Sequence, residues 1–339
     1  MFNYKWKLEN DYPSSKNGLK VFSTFACGGG STMGYKLAGY SVIGANDIDP
    51  QMSKVYRQNH NPQYFFECPI GDLLTKELPA ELFELDILDG SPPCSTFSVA
   101  GSREKAWKSK KKFREGQATQ VLSDLFFDWI KLVDRLKPKV AVAENVTGML
   151  MGNAKAYTQT ILKELDKIGY TVQLFSLDAS TMGVPQKRKR VFFICHRKDL
   201  TYSKLKLDFN LRKILFREVE AKVSNKIGKP LSEAYLKWWQ PTKKGNNFSK
   251  AHPKGSFFNT RKVDPDTVLG TIIASSGAKV THYEYPNEVS DETLALCGTF
   301  PTDYNYLDVE PKYLIGMSVP PVMIAQIAKE IEKQWLLPL

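Results

Sequence analysis

The first part of the chain, up to residue 196, alternates apolar strand-like runs with amphipathic segments, and this alternation narrows the possible folds more than any other feature. The strand-like runs are 19–24, 40–45, 85–88, 139–143, 171–177 and 190–195. Helical patterns lie at 33–37, 51–59, 123–136 and 157–168. Such alternation predicts an α/β fold with a doubly wound, mostly parallel sheet. Ligands bind beyond the carboxyl ends of the strands in such folds, so residues directly after the strands are candidate site residues.

A cysteine stands on a stiff turn directly after the run 85–88, in the stretch Gly90-Ser91-Pro92-Pro93-Cys94. The two prolines fix φ and remove two backbone donors, so the segment neither extends the strand nor starts a helix at Pro92. Cys94 is therefore a candidate nucleophile, provided that a helix N-terminus or a cation favours its thiolate. The alternative is a small buried apolar residue in a tight turn, as for many isolated cysteines.

The chain has five cysteines, an odd number at irregular spacing, and no CxxC pair. This usage argues against a disulfide framework and a metal site, and it predicts a reducing, intracellular compartment. The N-terminal stretch 1–18 is polar and charged, and no apolar window long enough to span a bilayer is evident in the sequence. We therefore expect no membrane association.

The formal net charge of +11 is concentrated in one segment. Between Arg197 and Lys262 there are 17 Lys and Arg against 5 Asp and Glu, while the remainder is nearly neutral. Aromatic residues are interspersed among these cations: Trp238, Trp239, Phe248, Phe257 and Phe258. Localised positive charge with aromatic and amide side chains favours a nucleic-acid partner over the alternative, a solvated surface insertion.

A glycine-rich turn, Phe25-Ala26-Cys27-Gly28-Gly29-Gly30, directly follows the first strand-like run. Glycines let the backbone turn tightly and approach a ligand, and Asp47 and Asp49 follow the second run, where an acid meets the ribose of an adenosine cofactor. The spacing is not GxGxxG and no Walker lysine follows, so neither NAD nor ATP is favoured. Asp72 is a candidate acceptor for the adenine amino group, with an ordinary turn aspartate as the alternative.

Two further clusters lie at strand ends. Glu144-Asn145-Val146 ends the apolar run 140–143, where a carboxylate in a dry pocket is suited to sharing a proton with a substrate. The basic run Gln186-Lys187-Arg188-Lys189-Arg190 leads into an apolar strand. Alternate strand residues face one way, so we expect Arg188 and Arg190 to point together, toward an anion or into solvent.

Four clusters, taken in chain order, resemble the motifs of DNA cytosine-5 methyltransferases of the bacterial modification type. They are the glycine-rich turn 25–30, the proline–cysteine turn 90–94, Glu144-Asn145-Val146 and the basic run 186–190. Gly298-Thr299-Phe300-Pro301 and Gly316-Met317-Ser318-Val319-Pro320-Pro321 resemble the last two motifs of that family. The resemblance covers roughly 19–196 and 265–335. It implies a Rossmann-like, S-adenosylmethionine-dependent methyltransferase domain with a smaller, irregular DNA-recognition domain.

The resemblance also implies a role for each site residue. Cys94 adds to carbon 6 of cytosine, Glu144 contacts ring nitrogen 3, and Arg188, with Arg190 as a further catalytic residue, orients the base. No metal is implied. The residues implied for binding S-adenosylmethionine are Phe25, Ala26, Cys27, Gly28, Gly29, Gly30, Asp47, Ile48, Asp72, Pro93, Ser318 and Val319.

Domain limits and partners follow from the same resemblance. We expect a cofactor and catalytic domain at 1–197, a target-recognition domain at 198–270, and a return to the catalytic domain at 271–339 that includes a closing helix at 320–335. Duplex DNA is the expected partner, with the target base flipped out and the basic segment 95–120 closing over it. A monomer in the bacterial cytoplasm, associated with the nucleoid, is expected, and a cognate restriction endonuclease need not contact it.

Three alternatives remain at this stage. A transfer-RNA cytosine-5 methyltransferase shares the catalytic apparatus, but the Cys-Phe-Thr signature of those relatives is not present. A noncatalytic DNA-binding relative would be expected to lack Cys94 or Glu144, and both are present. A nucleotide-dependent oxidoreductase fits the glycine spacing poorly.

Overall fold

The computed structural model of the protein describes residues 2–10, 12, 16–93, 110–111, 120–121, 125–152, 154–275 and 277–337. The chain divides into two compact units. The sheet unit comprises Pro13–Leu177, Lys189–Asp208 and Ala325–Leu339. The insert unit comprises Met1–Tyr12, Asp178–Arg188 and Phe209–Ile324. The assignment of 198–270 to target recognition stays a prediction.

The strands are β1 (Lys20–Thr24), β2 (Ser41–Asp47), β3 (Tyr64–Glu67), β4 (Ile87–Gly90), β5 (Lys110–Lys111), β6 (Gln120–Val121), β7 (Val140–Val146), β8 (Tyr170–Asp178), β9 (Lys189–Arg197), β10 (Ile227–Pro230), β11 (Arg261–Lys262), β12 (Val280–Thr281) and β13 (Asn287–Val289). The α-helices are α1 (Gly30–Leu37), α2 (Pro50–His60), α3 (Leu125–Leu136), α4 (Ala154–Lys167), α5 (Phe216–Glu220), α6 (Glu233–Trp239), α7 (Asp291–Cys297), α8 (Pro311–Met317) and α9 (Pro321–Ile331). Short 3₁₀ helices lie at Ile70–Leu74, Ala80–Phe83, Thr147–Leu150, Ala179–Thr181 and Phe248–Lys250.

The sheet unit is built on a seven-stranded sheet in the order β3-β2-β1-β4-β7-β9-β8. Strands β3, β2, β1, β4 and β7 pair in parallel, whereas β9 runs antiparallel to β7. Residues of both faces of β7 are fully buried, Val140 and Val142 as well as Ala141 and Ala143, as expected for a sheet covered on both sides. The predicted α/β fold with a mostly parallel sheet is confirmed.

Helix α3 supplies much of the core on one face of this sheet. Its apolar residues recur at helical spacing, and Trp129, Leu132 and Val133 are fully buried against strand residues such as Phe22 and Phe193. Helix α2 begins where the sequence signals it. Asp49 caps its N-terminus by accepting from two backbone N–H groups, and proline occupies the first turn.

The C-terminal helices correct one expectation. The run Pro311–Leu336, which includes α8, α9 and a short π-helical turn, contains an 18-residue window with a mean hydropathy of 1.2, which is long and apolar enough, by length and composition alone, to cross a membrane. The expectation that no such window exists is therefore wrong. This window is 72% buried inside the protein, as in the core helix of a globular domain. Within the sheet unit, Trp335 stacks on Tyr202 and donates to the Ser203 carbonyl.

The insert unit contains a small four-stranded sheet in the order β10-β13-β12-β11. Its strands are only two to four residues long, so loops and short helices make up most of this unit. The irregular character expected for the second part of the molecule is consistent with this architecture.

Candidate active site

Strand register places three of the sequence motifs at one edge of the sheet. Thr24, the last residue of β1, lies beside Asn46 on one side and beside Gly90 on the other. Gly90 in turn lies beside Ala143 of β7. The glycine loop after β1, the proline pair after β4 and the acid Glu144 therefore leave the sheet at adjacent positions, as parallel pairing requires.

The glycine loop is held in a left-handed backbone conformation by contacts with β2 and α2. Phe25, Cys27 and Gly29 all have positive φ values, of 53°, 48° and 85°. The Cys27 N–H donates to Asp47 Oδ2 at 2.7 Å. The buried His60 ring lies against Gly28, with Nε2 at 3.2 Å from the carbonyl oxygen. Burial lowers the pKa of His60 to about 3, so the neutral ring donates this hydrogen bond.

Asp47 makes contacts within the protein that the sequence does not indicate, and its contact with a cofactor stays a prediction. Its carboxylate is nearly buried and accepts from the backbone N–H groups of Cys27 and Asp49, so it fixes the loop on β2. Burial raises the pKa of Asp47 to about 6, although these backbone hydrogen bonds oppose the shift. Ile48 beside it is partly exposed, and Asp72 is exposed in the 3₁₀ turn Ile70–Leu74. Their cofactor contacts stay predictions.

The proline pair is tied to the acidic motif. The Asn145 side chain donates to the Pro92 carbonyl at 3.1 Å and accepts from the Val146 N–H, so the end of β7 holds the turn after β4. A Cβ on Gly90 would lie 2.4 Å from Nε1 of the Trp129 indole, so only glycine fits here. Pro93 is exposed.

The proposed nucleophile itself, Cys94, lies outside the described residues, together with most of the segment 95–120. The remaining cysteines are Cys27, Cys68, Cys195 and Cys297. Burial raises the pKa of the thiols of Cys68, Cys195 and Cys297, which disfavours their thiolates. These three are poor nucleophiles.

Glu144 and Arg190 form an ion pair inside the sheet unit. The Arg190 Nε donates to Glu144 Oε1 at 2.8 Å, and the two side chains are only 16% and 12% exposed. The pair exists because β9 runs antiparallel to β7 and places Arg190 opposite Val146. An acid and a guanidinium fixed in this way can present a directed carboxyl group to a polar ring.

Arg188 has other partners. It is 3% exposed and donates to the carbonyl oxygens of Ile272 and Gly316, at 3.3 and 3.0 Å, within the insert unit. Arg188 and Arg190 thus have different partners, and β9 begins only at Lys189, so the expectation that the two point together stays a prediction. Gln186, fully buried, bonds the Ile272 N–H and the Cys297 carbonyl in the same unit.

Ser318 and Val319 lie directly after α8 and are nearly buried. The Ser318 hydroxyl donates to the Leu314 carbonyl at 2.9 Å, which ends the helix. The cofactor role that the motif implies for these two residues stays a prediction.

One residue of interest was missed by sequence reasoning. Asp89 is 2% exposed within β4, and its carboxylate accepts from the hydroxyls of Ser23, at 3.0 Å, and Tyr35, at 3.2 Å. Burial raises the pKa of Asp89 to about 7. The available signal was an acid inside an apolar strand, one residue before Gly90.

A family model described as C-5 cytosine-specific DNA methylase matches residues 19–333. The type II methyltransferase M.NgoPII of Neisseria gonorrhoeae is 34% identical over 57% of this chain, a stretch that spans about half (52%) of the relative. M.NgoFVII of the same organism is 27% identical over 94% of this chain and 87% of its own length.

Solved structures show a similar fold at low identity. A prophage-encoded DNA modification methyltransferase (E. coli) superimposes with a TM-score of 0.73 at 17% identity, covering 94% of this chain and 99% of that one. The Dnmt2 methyltransferase of S. pombe gives a TM-score of 0.62 at 16% identity, with the same coverage of both chains. At such identities the likeness concerns the fold.

Proposed function

Because the chain belongs to the C-5 cytosine-specific DNA methylase family, as its motifs led us to expect, we propose that it transfers a methyl group from S-adenosylmethionine to carbon 5 of cytosine in duplex DNA. The observation that carries the proposal is the match over 19–333, combined with the tie between Asn145 and Pro92 at the strand edge. This tie positions the turn that leads to Cys94 beside Glu144.

The residues present fit an adenosine-containing cofactor. The glycine loop has positive φ at three positions, and it leads into the N-terminus of α1, and the N-terminus of a helix favours a negatively charged group such as a carboxylate. When bound, S-adenosylmethionine supplies an electrophilic methyl group. In our proposal Phe25, Ala26, Cys27, Gly28, Gly29, Gly30, Asp47, Ile48, Asp72, Pro93, Ser318 and Val319 line its site.

The chemistry on the base is carried by side chains of this chain. The Cys94 thiolate forms a bond to carbon 6 of cytosine, which makes carbon 5 nucleophilic enough to accept a methyl group. Glu144 carries a proton in this step and donates it, as a hydrogen bond or by full transfer, to ring nitrogen 3, which neutralises the negative charge that develops there. A base then takes the proton at carbon 5, and the electron pair of that bond restores the C5–C6 double bond as the bond between carbon 6 and the Cys94 sulfur breaks. Arg190 holds the Glu144 carboxyl group in place, and Arg188 orients the base in its pocket.

The cytosine ring inside a duplex is inaccessible to such chemistry, so the target base is flipped out of the stack. Segment 95–120, which lies mostly outside the described residues, carries seven Lys and Arg, and in our proposal these cations contact the DNA phosphates. The basic region 198–270 reads the flanking sequence from the groove. The protein acts as a monomer in the bacterial cytoplasm at the nucleoid. Any cognate restriction endonuclease of the same system need not contact it.

The test is a methylation assay with labelled S-adenosylmethionine and duplex DNA, followed by sequencing for modified cytosines and their flanks. Cys94→Ser is expected to abolish turnover, whereas the matched control Cys68→Ser, in the same unit, retains it. Glu144→Gln is expected to lower kcat by about 10²- to 10⁴-fold. A duplex with a 5-fluorocytosine target should trap a covalent complex with the wild type and with Cys68→Ser, but not with Cys94→Ser.

Native turnover by Cys94→Ser would exclude the adduct. Faster labelling of transfer RNA than of duplex DNA would instead support an RNA methyltransferase.

A further inference from the structure

Phe258 stands out among the exposed apolar side chains of the insert unit. It is 67% exposed, more than any other large apolar side chain of the described residues. Within the part of the chain that the structure describes, its ring has no aromatic or cation–π partner. An isolated exposed phenylalanine needs no explanation by itself. Phe258 lies, however, in a loop (252–260) that is held by several hydrogen bonds and belongs to a strongly cationic segment.

The backbone of this loop is fixed by one histidine. His252 Nδ1 accepts from the backbone N–H groups of Lys254 and Ser256, at 3.1 and 3.3 Å. At the other end of the loop, the Thr260 N–H donates to the Phe257 carbonyl oxygen at 3.1 Å. Phe257 has a φ of 61°, which a phenylalanine adopts only when its surroundings impose it. The loop therefore presents its tip in one conformation.

Neighbouring aromatic rings brace the loop from behind. The Phe257 ring packs edge-on against Tyr235, with centroids 5.1 Å apart. The His252 ring packs against Trp238, with centroids 4.5 Å apart. Because Phe257 is turned into this cluster, the adjacent Phe258 is turned out of it. Phe257 thus packs within the protein and supports the loop, whereas Phe258 is exposed to solvent.

The charge around the tip is of one sign. From Ala234 to Val263 the chain has seven Lys and Arg and no Asp or Glu. Lys250, just before the loop, and Lys254, within it, are both exposed, and neither makes an ion pair in the described residues. A surface that is cationic and has an apolar, rigid tip is complementary to the phosphates and stacked bases of a duplex.

We propose that Phe258 contacts bases of duplex DNA in the groove, while Lys250 and Lys254 contact the flanking phosphates. This inference rests on the proposed function, whose substrate it refines. Phe258 is thereby a specificity-determining residue, because an apolar ring contacts base surfaces such as the thymine methyl group. The lysines contribute affinity without sequence preference.

The experiment measures the Kd of the full chain for two duplexes over a series of salt concentrations. The cognate duplex contains the sequence that the protein methylates, and the other duplex is unrelated. Phe258→Ala is expected to weaken cognate binding by about tenfold and unrelated binding by less than about twofold. Phe258→Trp keeps a ring and restores most of the cognate affinity. Lys254→Ala weakens both duplexes alike and lowers the salt slope by about 1.

Phe83 provides the matched control, because it is an exposed phenylalanine (46%) in the sheet unit. Phe83→Ala is expected to bind both duplexes as the wild type does. Unchanged cognate affinity in Phe258→Ala with an unchanged melting temperature overturns the inference, as does an equal loss on both duplexes. Wild-type protein that neither binds nor methylates duplex DNA overturns the proposed function instead.

Discussion

Replacement of Gly29 by alanine tests whether His60 shapes the glycine loop. Gly29 has a φ of +85°, and a Cβ there would lie 2.1 Å from Nε2 and 2.5 Å from Cδ2 of the buried His60 ring. The left-handed conformation costs a non-glycine residue about 1–2 kcal/mol. The steric overlap adds about 1–3 kcal/mol, as for other overpacked sites. We therefore expect Gly29→Ala to lower the free energy of unfolding by about 2–5 kcal/mol.

The two contributions can be separated by a double-mutant cycle with His60→Ala. Without the imidazole the overlap disappears, so Gly29→Ala should cost only the backbone part, about 1–2 kcal/mol, in that background. The assay is urea denaturation of the four proteins, followed by circular dichroism, in cofactor-free buffer. Equal costs of Gly29→Ala in both backgrounds would show that His60 is not the obstacle. A cost below about 0.5 kcal/mol in the wild-type background would refute the whole argument.

Other substitutions probe the same strand edge and the insert unit. Burial raises the pKa of Asp89 from 3.8 to about 7, so between these pH values the folded protein holds a proton that the unfolded chain has lost. The free energy of unfolding therefore falls as the pH rises from about 4 to 7. Urea titrations across this range should show a slope that Asp89→Asn flattens by up to about 1.4 kcal/mol per pH unit; parallel pH profiles would contradict this. Gly90→Ala should lower stability by about 1–3 kcal/mol through its clash with Trp129, measured by urea denaturation, and Trp129→Phe should relieve part of the loss. Gly316→Ala places a Cβ 2.5 Å from the Ala274 backbone nitrogen, so faster hydrogen exchange in that segment is expected, and unchanged exchange would disprove the close packing.

The parallel part of the sheet was predictable because buried strands have a simple signal. The run 140–143 is apolar without interruption, and such runs flanked by helical patterns indicate a sheet covered on both faces. The direction of β9 was not predictable, since a strand pattern reads alike in both directions. Strand β3, Tyr64–Glu67, was missed because it is short and only partly buried.

Site residues were predictable as motifs, but their contacts were not. Glu144 and Arg190 were both selected, yet their ion pair depends on an antiparallel register between residues far apart in the chain. The Asp47 carboxylate accepts from the backbone N–H groups of Cys27 and Asp49, which its position after a strand did not indicate. Arg188 donates to the carbonyl oxygens of Ile272 and Gly316, which the basic run did not indicate. Residue type and spacing indicate the chemistry, whereas hydrogen-bond partners depend on tertiary packing.

The division of the insert unit into three chain segments has a consequence for protein engineering. Grafting of 209–324 from a relative would be the obvious way to build a chimera with altered specificity. The segment Asp178–Arg188 belongs to the same unit, and Gln186 and Arg188 bond the backbone at Ile272. A graft that leaves this segment behind separates hydrogen-bond donors from the acceptors that they contact within this unit. Chimeras that receive Asp178–Arg188 together with 209–324 should yield folded proteins more often than chimeras that receive 209–324 alone.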